Sequence, residues 1–345
     1  MVFYSLADCR MSWNAAKRVA SASAFFLVVA GLATARPVAD CNRARSATER
    51  AICIDPRLAA ADAEMAKAYS ALRALLPTAQ HAALLDSQRE WIAQRDGACQ
   101  GEGSELTQCL LEQTRARRRL LAGEGQNEDL GALRLLPAFH REAAAHYKIS
   151  AEYPQIPRAA GPNAASFNEE SRKIAFGSGP GGAREFRNNE PLRNGEAKTF
   201  YDASYEIRYL DAHLTSVVFA VATYEGGAHP NGESIGLLFD LDQARPLQLA
   251  DFLANAEEAI PAIAARCERK ATEEDWGVFE NANFAAVVGE IAGWTADRDG
   301  VAILFNPYSV APYVAGPHEC RIPYTELARW LKPGGPLPPR SAGKE

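Results

Sequence analysis

Apolar residues recur at three-, four- and seven-residue spacing up to about residue 122, then give way to alternation and to β-branched runs. Asp55-Pro56 reads as an N-cap followed by a first-turn proline. Leu58, Met65, Tyr69, Leu72 and Leu76 then keep one helical stripe until Pro77 stops it. Thr78 opens a second helix, with Leu84, Leu85, Gln88, Trp91, Ile92 and Arg95 on one broad face and an end near Asp96-Gly97. Ser104 caps a third, carrying Leu106, Cys109, Leu110 and Leu121. A short turn makes the first two antiparallel. Residues 36–122 are thus expected to form a small all-α domain.

Residues 123–136, beginning Gly123-Glu124-Gly125-Gln126, read as a linker. The period then changes. His146–Pro154 alternates like a strand, and a helix follows from about Asn163 to Phe176. Tyr201–Tyr209, Leu214–Tyr224 and Ile235–Leu241 read as strands, Glu257–Thr272 as a helix, and Gly293–Ala296, Val301–Phe305 and Cys320–Ile322 as later strands. Without a βαβ rhythm, residues 137–332 are expected to be an α+β domain with a largely antiparallel sheet, followed by a disordered tail over 333–345.

The N-terminus has Lys17-Arg18, the short apolar run Phe25–Leu32 and a small-residue Ala33-Thr34-Ala35 site, the layout of a secretory signal peptide cut after Ala35. Met11 would serve equally as a start. The apolar run falls short of the ~20 residues of a membrane span, so a periplasmic or secreted protein without a transmembrane anchor is expected. Seven cysteines become six once Cys9 leaves with the leader: Cys41, Cys53, Cys99, Cys109, Cys267 and Cys320. An even count in an oxidising compartment reads as disulfides, and the spacings do not suit a metal site. We expect Cys267–Cys320. In the first domain, bonds linking the Cys41/Cys53 pair to the Cys99/Cys109 pair are favoured, because the helical hairpin returns those ends to one place.

The composition is that of an ordinary soluble chain, 345 residues with 47% hydrophobic and 23% charged. A net charge of −6 argues against a general nucleic-acid binder. Residues 36–122 hold 13 Lys+Arg against 11 Asp+Glu, whereas residues 123–345 hold 21 against 31. The acidic second part favours a cationic partner.

Asp40-Cys41, Thr48–Cys53, Leu58, Asp62, Tyr69, Gln88-Arg89-Glu90-Trp91, Arg95-Asp96, Cys99 and Cys109-Leu110 make the first domain similar to the LprI-type lysozyme-inhibitor N-terminal domain. The resemblance implies a small disulfide-linked module of the cell envelope. Tyr224–Asn231, Asp240-Leu241, Leu249–Phe252, Asn306–Tyr313, Gly316 and Ile322-Pro323-Tyr324 make the second similar to the C-terminal domain of the anti-sigma factor RsiV and of some peptidoglycan deacetylases. It departs from RsiV in having no transmembrane helix or sigma-binding segment, and no deacetylase domain is appended.

Catalytic signals are poor. Gly177–Gly182 satisfies G-x-G-x-x-G by letter but follows a helix and contains Pro180, so it reads as a loop. P-loop and H-E-x-x-H motifs do not occur. Asp240 and Asp242 are explained by strand alternation and a turn, and Glu273-Glu274-Asp275 by a solvated loop. Trp91 is read as core, and Arg115, Arg117, Arg118 and Arg119 as a solvated helix end. His229 is either a loop residue that enters a partner's cleft or a turn histidine bonded to backbone, with Gly226 and Gly227 supplying positive φ. Tyr308 and Tyr313 form either a groove wall or a packed sheet edge. The expectation is a non-enzymatic envelope protein, without metal or cofactor, that binds lysozyme or a related muramidase through Tyr224, His229, Asn231, Tyr308 and Tyr313. An accessory protein that binds peptidoglycan or another glycan is the alternative, and an envelope enzyme with an unrecognised site is the third.

Overall fold

The computed structural model describes residues 41–126, 133–157, 163–177, 182–188 and 199–338. The expected signal peptide lies outside them. The chain divides between Ala122 and Gly123 into two compact units.

The first unit is helical. A 3₁₀ turn at Cys41–Arg43 leads into α1 (Ala47–Ile54), which a capping box opens: Ser46 Oγ accepts from the Glu49 N–H at 3.0 Å, and the Glu49 carboxylate accepts from the Ser46 N–H at 2.9 Å. The Asp55 carboxylate then accepts from the Arg57 and Leu58 amides to start α2 (Pro56–Leu75). After a 3₁₀ turn at Thr78–Gln80 come α3 (His81–Ala98) and α4 (Gly103–Ala122). Ile52, Leu58, Ala61, Leu106, Leu110 and Leu111 pack as a core with Cys99.

Two expectations fail here for local reasons. The disulfides join Cys41 to Cys53 and Cys99 to Cys109, not one pair to the other. Cys41 sits in the turn before α1 and Cys53 in its last turn, with Cα atoms 5.7 Å apart. Cys99 is the C-cap of α3 and faces Cys109 of α4 across the helix–helix corner, at 5.6 Å. Each bridge staples one corner of the chain. Arg117 is also no solvated end: it is 5% exposed, and its guanidinium donates to Ser87 Oγ at 2.5 Å and Gln88 Oε1 at 3.0 Å on α3.

The second unit begins within the expected linker. Leu135 is fully buried and donates its N–H to the Gly123 carbonyl, and the Gln126 N–H bonds Ile207. Strands β1 (Leu136–Ala143) and β2 (Tyr147–Gln155) form an antiparallel pair. Helices α5 (Ala164–Phe176) and α6 (Ala183–Asn188) cross to β3 (Thr199–Leu210), which pairs parallel with β2. Then β4 (Leu214–Tyr224), β5 (Asn231–Asp240) and β6 (Arg245–Pro246) complete a six-stranded sheet in sequence order. Asn168 pins α5 to the end of β2 by accepting the Ile156 N–H at 2.7 Å and donating to its carbonyl at 2.9 Å.

Helices α7 (Leu249–Phe252), α8 (Ala256–Glu273) and α9 (Phe284–Val288) precede a three-stranded antiparallel sheet of β7 (Trp294–Ala296), β8 (Gly300–Phe305) and β9 (His318–Pro323), and α10 (Tyr324–Leu327) follows. The α+β class with a largely antiparallel sheet is thus observed. Ala259, Ile263, Cys267 and Ala271 of α8 pack on Ile303, Phe305, Cys320 and Ile322, and the Cys267–Cys320 disulfide joins the helix to the sheet as expected. Leu337 enters the same core, so residues 333–338 are not part of a disordered tail; residues 339–345 lie outside the described part.

Three contacts mate the two sheets. A Cβ on Gly236 of β5 would stand 2.1 Å from the Trp294 carbonyl of β7, so only glycine permits that approach. Ser216 Oγ accepts the Ala296 N–H at 2.9 Å, fully buried. At a register shift between Ile207 and Tyr209, Arg208 turns inward. Its guanidinium donates to Glu206 at 2.9 Å and to Glu319 of β9 at 2.7 Å. Burial opposes the Arg208 charge most strongly, but the two carboxylates raise its pKa above the ordinary value.

Arg208→Ala leaves two carboxylates facing each other with their cation gone. We expect a loss of about 3–5 kcal/mol from the urea unfolding transition of the second unit, the range for breaking a buried pair. A change below ~1 kcal/mol, the range of surface ion pairs, would show that the link is a surface one in effect.

Candidate functional site

The β4–β5 hairpin is buried at its base and half-exposed at its tip. Leu214–Phe219 and Gly236–Asp240 are buried, whereas the later half of β4 and Asn231–Gly232-Glu233 are not. The turn 224–231 therefore stands clear of the core. Gly226 and Gly227 adopt φ of 95° and 119°, and Tyr224 Oη donates to the Gly227 carbonyl at 3.0 Å. Phe200, opposite Tyr224 on β3, stacks on it with ring centroids 5.9 Å apart.

The support for this tip comes from residues 306–316, leading out of β8. The Asn306 amide accepts the Ser234 N–H at 2.7 Å and donates to the Ser234 carbonyl at 3.0 Å, adding one bridge to the edge of β5. Tyr313 Oη donates to the Pro230 carbonyl at 2.7 Å, and His229 Nδ1–H donates to the same oxygen at 2.9 Å. The His229 and Tyr313 rings stack at 3.9 Å and 20°, with Tyr308 5.8 Å beyond. Tyr308 has φ of 69° and is 56% exposed. Its N–H bonds the Ala311 carbonyl, and Ser309 bonds Asn306 through both its N–H and its hydroxyl. A bulky residue held left-handed while its ring faces solvent is strained, and such outliers collect at binding sites.

Three of the five partner-binding candidates, His229, Tyr308 and Tyr313, are thus brought into ring contact, while Tyr224 stands at the other end of the same turn, bonded to Gly227 and stacked on Phe200. Asn231 opens β5 opposite Thr223 at its edge. Sequence reasoning missed Asn306 as the clamp, although an Asn-Pro step after a strand marks a turn. It also missed Val314 and Phe279. With Tyr308, these are the exposed large hydrophobics of the second unit among the described residues. Val314 is 87% exposed, and the Phe279 N–H bonds the Val310 carbonyl of the same loop. Segments 223–235, 276–290 and 306–317 contain no Lys or Arg, while Glu225, Glu233 and Glu280 are exposed beside the aromatic residues in sequence. These segments combine exposed apolar side chains with acidic ones and carry no basic ones.

The His229 Nδ1 is engaged by its own turn. Among the described residues there is no group of three or more His, Cys, Asp and Glu placed to hold a metal ion. The most charge-organised cluster elsewhere is Glu142, which Arg187, the Tyr147 hydroxyl and His140 hold ionised, down to a pKa of about 2; it ties α6 to β1. Trp91 is half-buried with the Arg95 and Arg117 guanidinium groups over its ring at 4.8 and 5.9 Å, a partly exposed stack beside the core and not the core residue expected.

Asn306→Ala removes both halves of the clamp. We expect a stability loss of about 1–3 kcal/mol. Tyr308→Gly, which relieves the left-handed strain, should be neutral or stabilising despite the lost ring. Paired urea denaturation of the two variants checks this. A substantial loss in Tyr308→Gly would mean that the ring is structural.

Comparison with known proteins agrees with the two-part organisation. Residues 41–121 match the family model described as lysozyme inhibitor LprI, and residues 248–325 match that of a protein of unknown function, DUF3298. No curated protein matches significantly. Similar solved structures include a DUF3298 family member from Bacteroides fragilis, with a TM-score of 0.45 and 21% identity over 59% of this chain and 96% of the other. Another is a DUF3298 family protein from Pseudomonas aeruginosa, with a TM-score of 0.44 and 18% identity over 60% and 96%. Among the described residues no helix is long and apolar enough to cross a membrane. The helical unit is thus similar to the LprI lysozyme-inhibitor family over residues 41–121, and the second unit to DUF3298 over residues 248–325.

Proposed function

We propose that this is an exported, non-enzymatic protein of the cell envelope, periplasmic or secreted after cleavage near Ala35, that binds lysozyme or a related muramidase and obstructs its cleft. The observation that carries the reading is the LprI lysozyme-inhibitor match over the helical unit. The aromatic face of the second unit supports it. Tyr308, backed by the His229–Tyr313 stack, is a rigid projection of the kind that serves as an interface anchor. The acidic residues of the surrounding segments and the absence of Lys and Arg there suit a basic partner. Inhibition of this sort needs a surface that fills a substrate cleft, and no nucleophile.

Surface plasmon resonance against several lysozymes tests it. Association should slow as salt rises, since exposed charges are screened over about 8 Å at physiological ionic strength. Tyr308→Ala should raise the dissociation rate about 30-fold, the effect of losing about 2 kcal/mol at a hot spot. The unaltered protein failing to bind every lysozyme at micromolar concentration, while pelleting with purified peptidoglycan, would replace this function with glycan binding.

A further inference from the structure

Below the segment that carries Phe279 lies a histidine with an incomplete hydrogen-bond set, His318. Helix α8 ends in a Schellman-type turn: Asp275, at φ of 52°, donates its N–H to the Thr272 carbonyl, and Trp276 donates its own to Ala271. This turn drives the Trp276 indole into the core, 3% exposed, where Nε1 donates to Glu274 at 3.0 Å. On the indole lies the His318 ring of β9, 4.2 Å between centroids and 6° from parallel. The His318 Nε2 is buried without a hydrogen-bond partner. Three residues beyond Trp276, the Phe279 N–H bonds Val310 in the loop that bears Tyr308 and Tyr313.

The charged groups acting on His318 come from α8 and its end. Glu274 favours the imidazolium, and Lys270, itself paired with Glu274, opposes it. From β8, Phe305 is its register partner. Glu319, next on β9, is engaged with Arg208. Burial is the largest influence and lowers the His318 pKa below its ordinary 6.5. A base with a depressed folded-state pKa leaves stability full above pH 6.5 and takes it away as pH falls through that value toward the folded pKa.

We propose that His318 is an acid-operated latch: uncharged, it holds Trp276 and, through Phe279, the 306–316 loop; protonated, it draws Glu274 off the indole and frees the 276–282 segment. In the imidazolium both ring nitrogens carry a proton, so the unpartnered Nε2 is then a donor that requires an acceptor, and Glu274 is the carboxylate whose charge acts on the ring. The indole Nε1–H then loses its partner, and the mobile segment carries Phe279 out of the apolar face. Acid would in this way loosen the surface assigned above to the partner, so the binding consequence rests on that assignment while the latch itself does not.

The test uses the full mature chain with ¹⁵N-labelled tryptophan, plus hydrogen exchange. Between about pH 7.5 and pH 5 the His318 ring and the Trp276 indole N–H should titrate together, with a midpoint below the usual imidazole value. Phe279 amide exchange, corrected for intrinsic rates, should rise about tenfold. His318→Phe, which keeps a ring to stack, and Glu274→Gln should each abolish the movement of the indole. An indole resonance that does not change with pH in the unaltered protein, or that moves equally in both variants, would overturn the latch. Lysozyme binding should weaken at the lower pH only where the latch is intact. Absence of lysozyme binding at both pH values, with the indole titrating as described, would remove the binding function and leave the latch standing.

Discussion

Mating of the six-stranded and three-stranded sheets is the constraint on which the second unit depends. It is made where side chains are least tolerated: a glycine under a carbonyl, a buried hydroxyl taking a sheet-edge amide, and one arginine between two carboxylates. A charge with so little exposure is costly to desolvate, and only the paired carboxylates and their geometry offset that. Such a group contributes register more than net stability. If Arg208 reaches Glu319, β9 and β8 are aligned against β3, and residues 306–316 emerge beside the tip of the β4–β5 hairpin.

The tip then becomes rigid through backbone groups. Pro230 has no N–H to give, but its carbonyl takes two donors, from Tyr313 and from His229. Asn306 repeats at β5 what Asn168 does at β2, an amide side chain standing in for a neighbouring strand. These bonds cover the cost of holding Tyr308 left-handed. A loop fixed before binding loses less conformational entropy on association than a mobile one, which suits an anchor.

The helical unit solves a different problem. Some eighty residues enclose a modest core, and part of its interior is polar, with Arg95 and Arg117 buried around Trp91. Two short-range disulfides compensate at the corners, one tying the short α1 to the turn before it and the other the end of α3 to α4.

Much of the architecture was legible because local rules dictate it. Asp55-Pro56 and Pro77 bound α2 through capping and a missing N–H, and the run from Leu214 to Tyr224 is a strand on its β-branched and aromatic content alone. The sequence by itself determined the helical-then-α+β order, the Cys267–Cys320 pair and the glycine turn before His229. It could not determine which of two nearby cysteines closes a loop, since the choice depends on helix ends meeting at a corner. Nor could it show Arg117 as buried, because a run of arginines at a helix end looks solvated until Ser87 and Gln88 come opposite it. The clustering of His229 with Tyr308 and Tyr313 was decided by tertiary structure alone. His229 lies some eighty positions before the two tyrosines, and only sheet mating, a non-local pairing invisible to any window of sequence, brings the 306–316 loop to the hairpin.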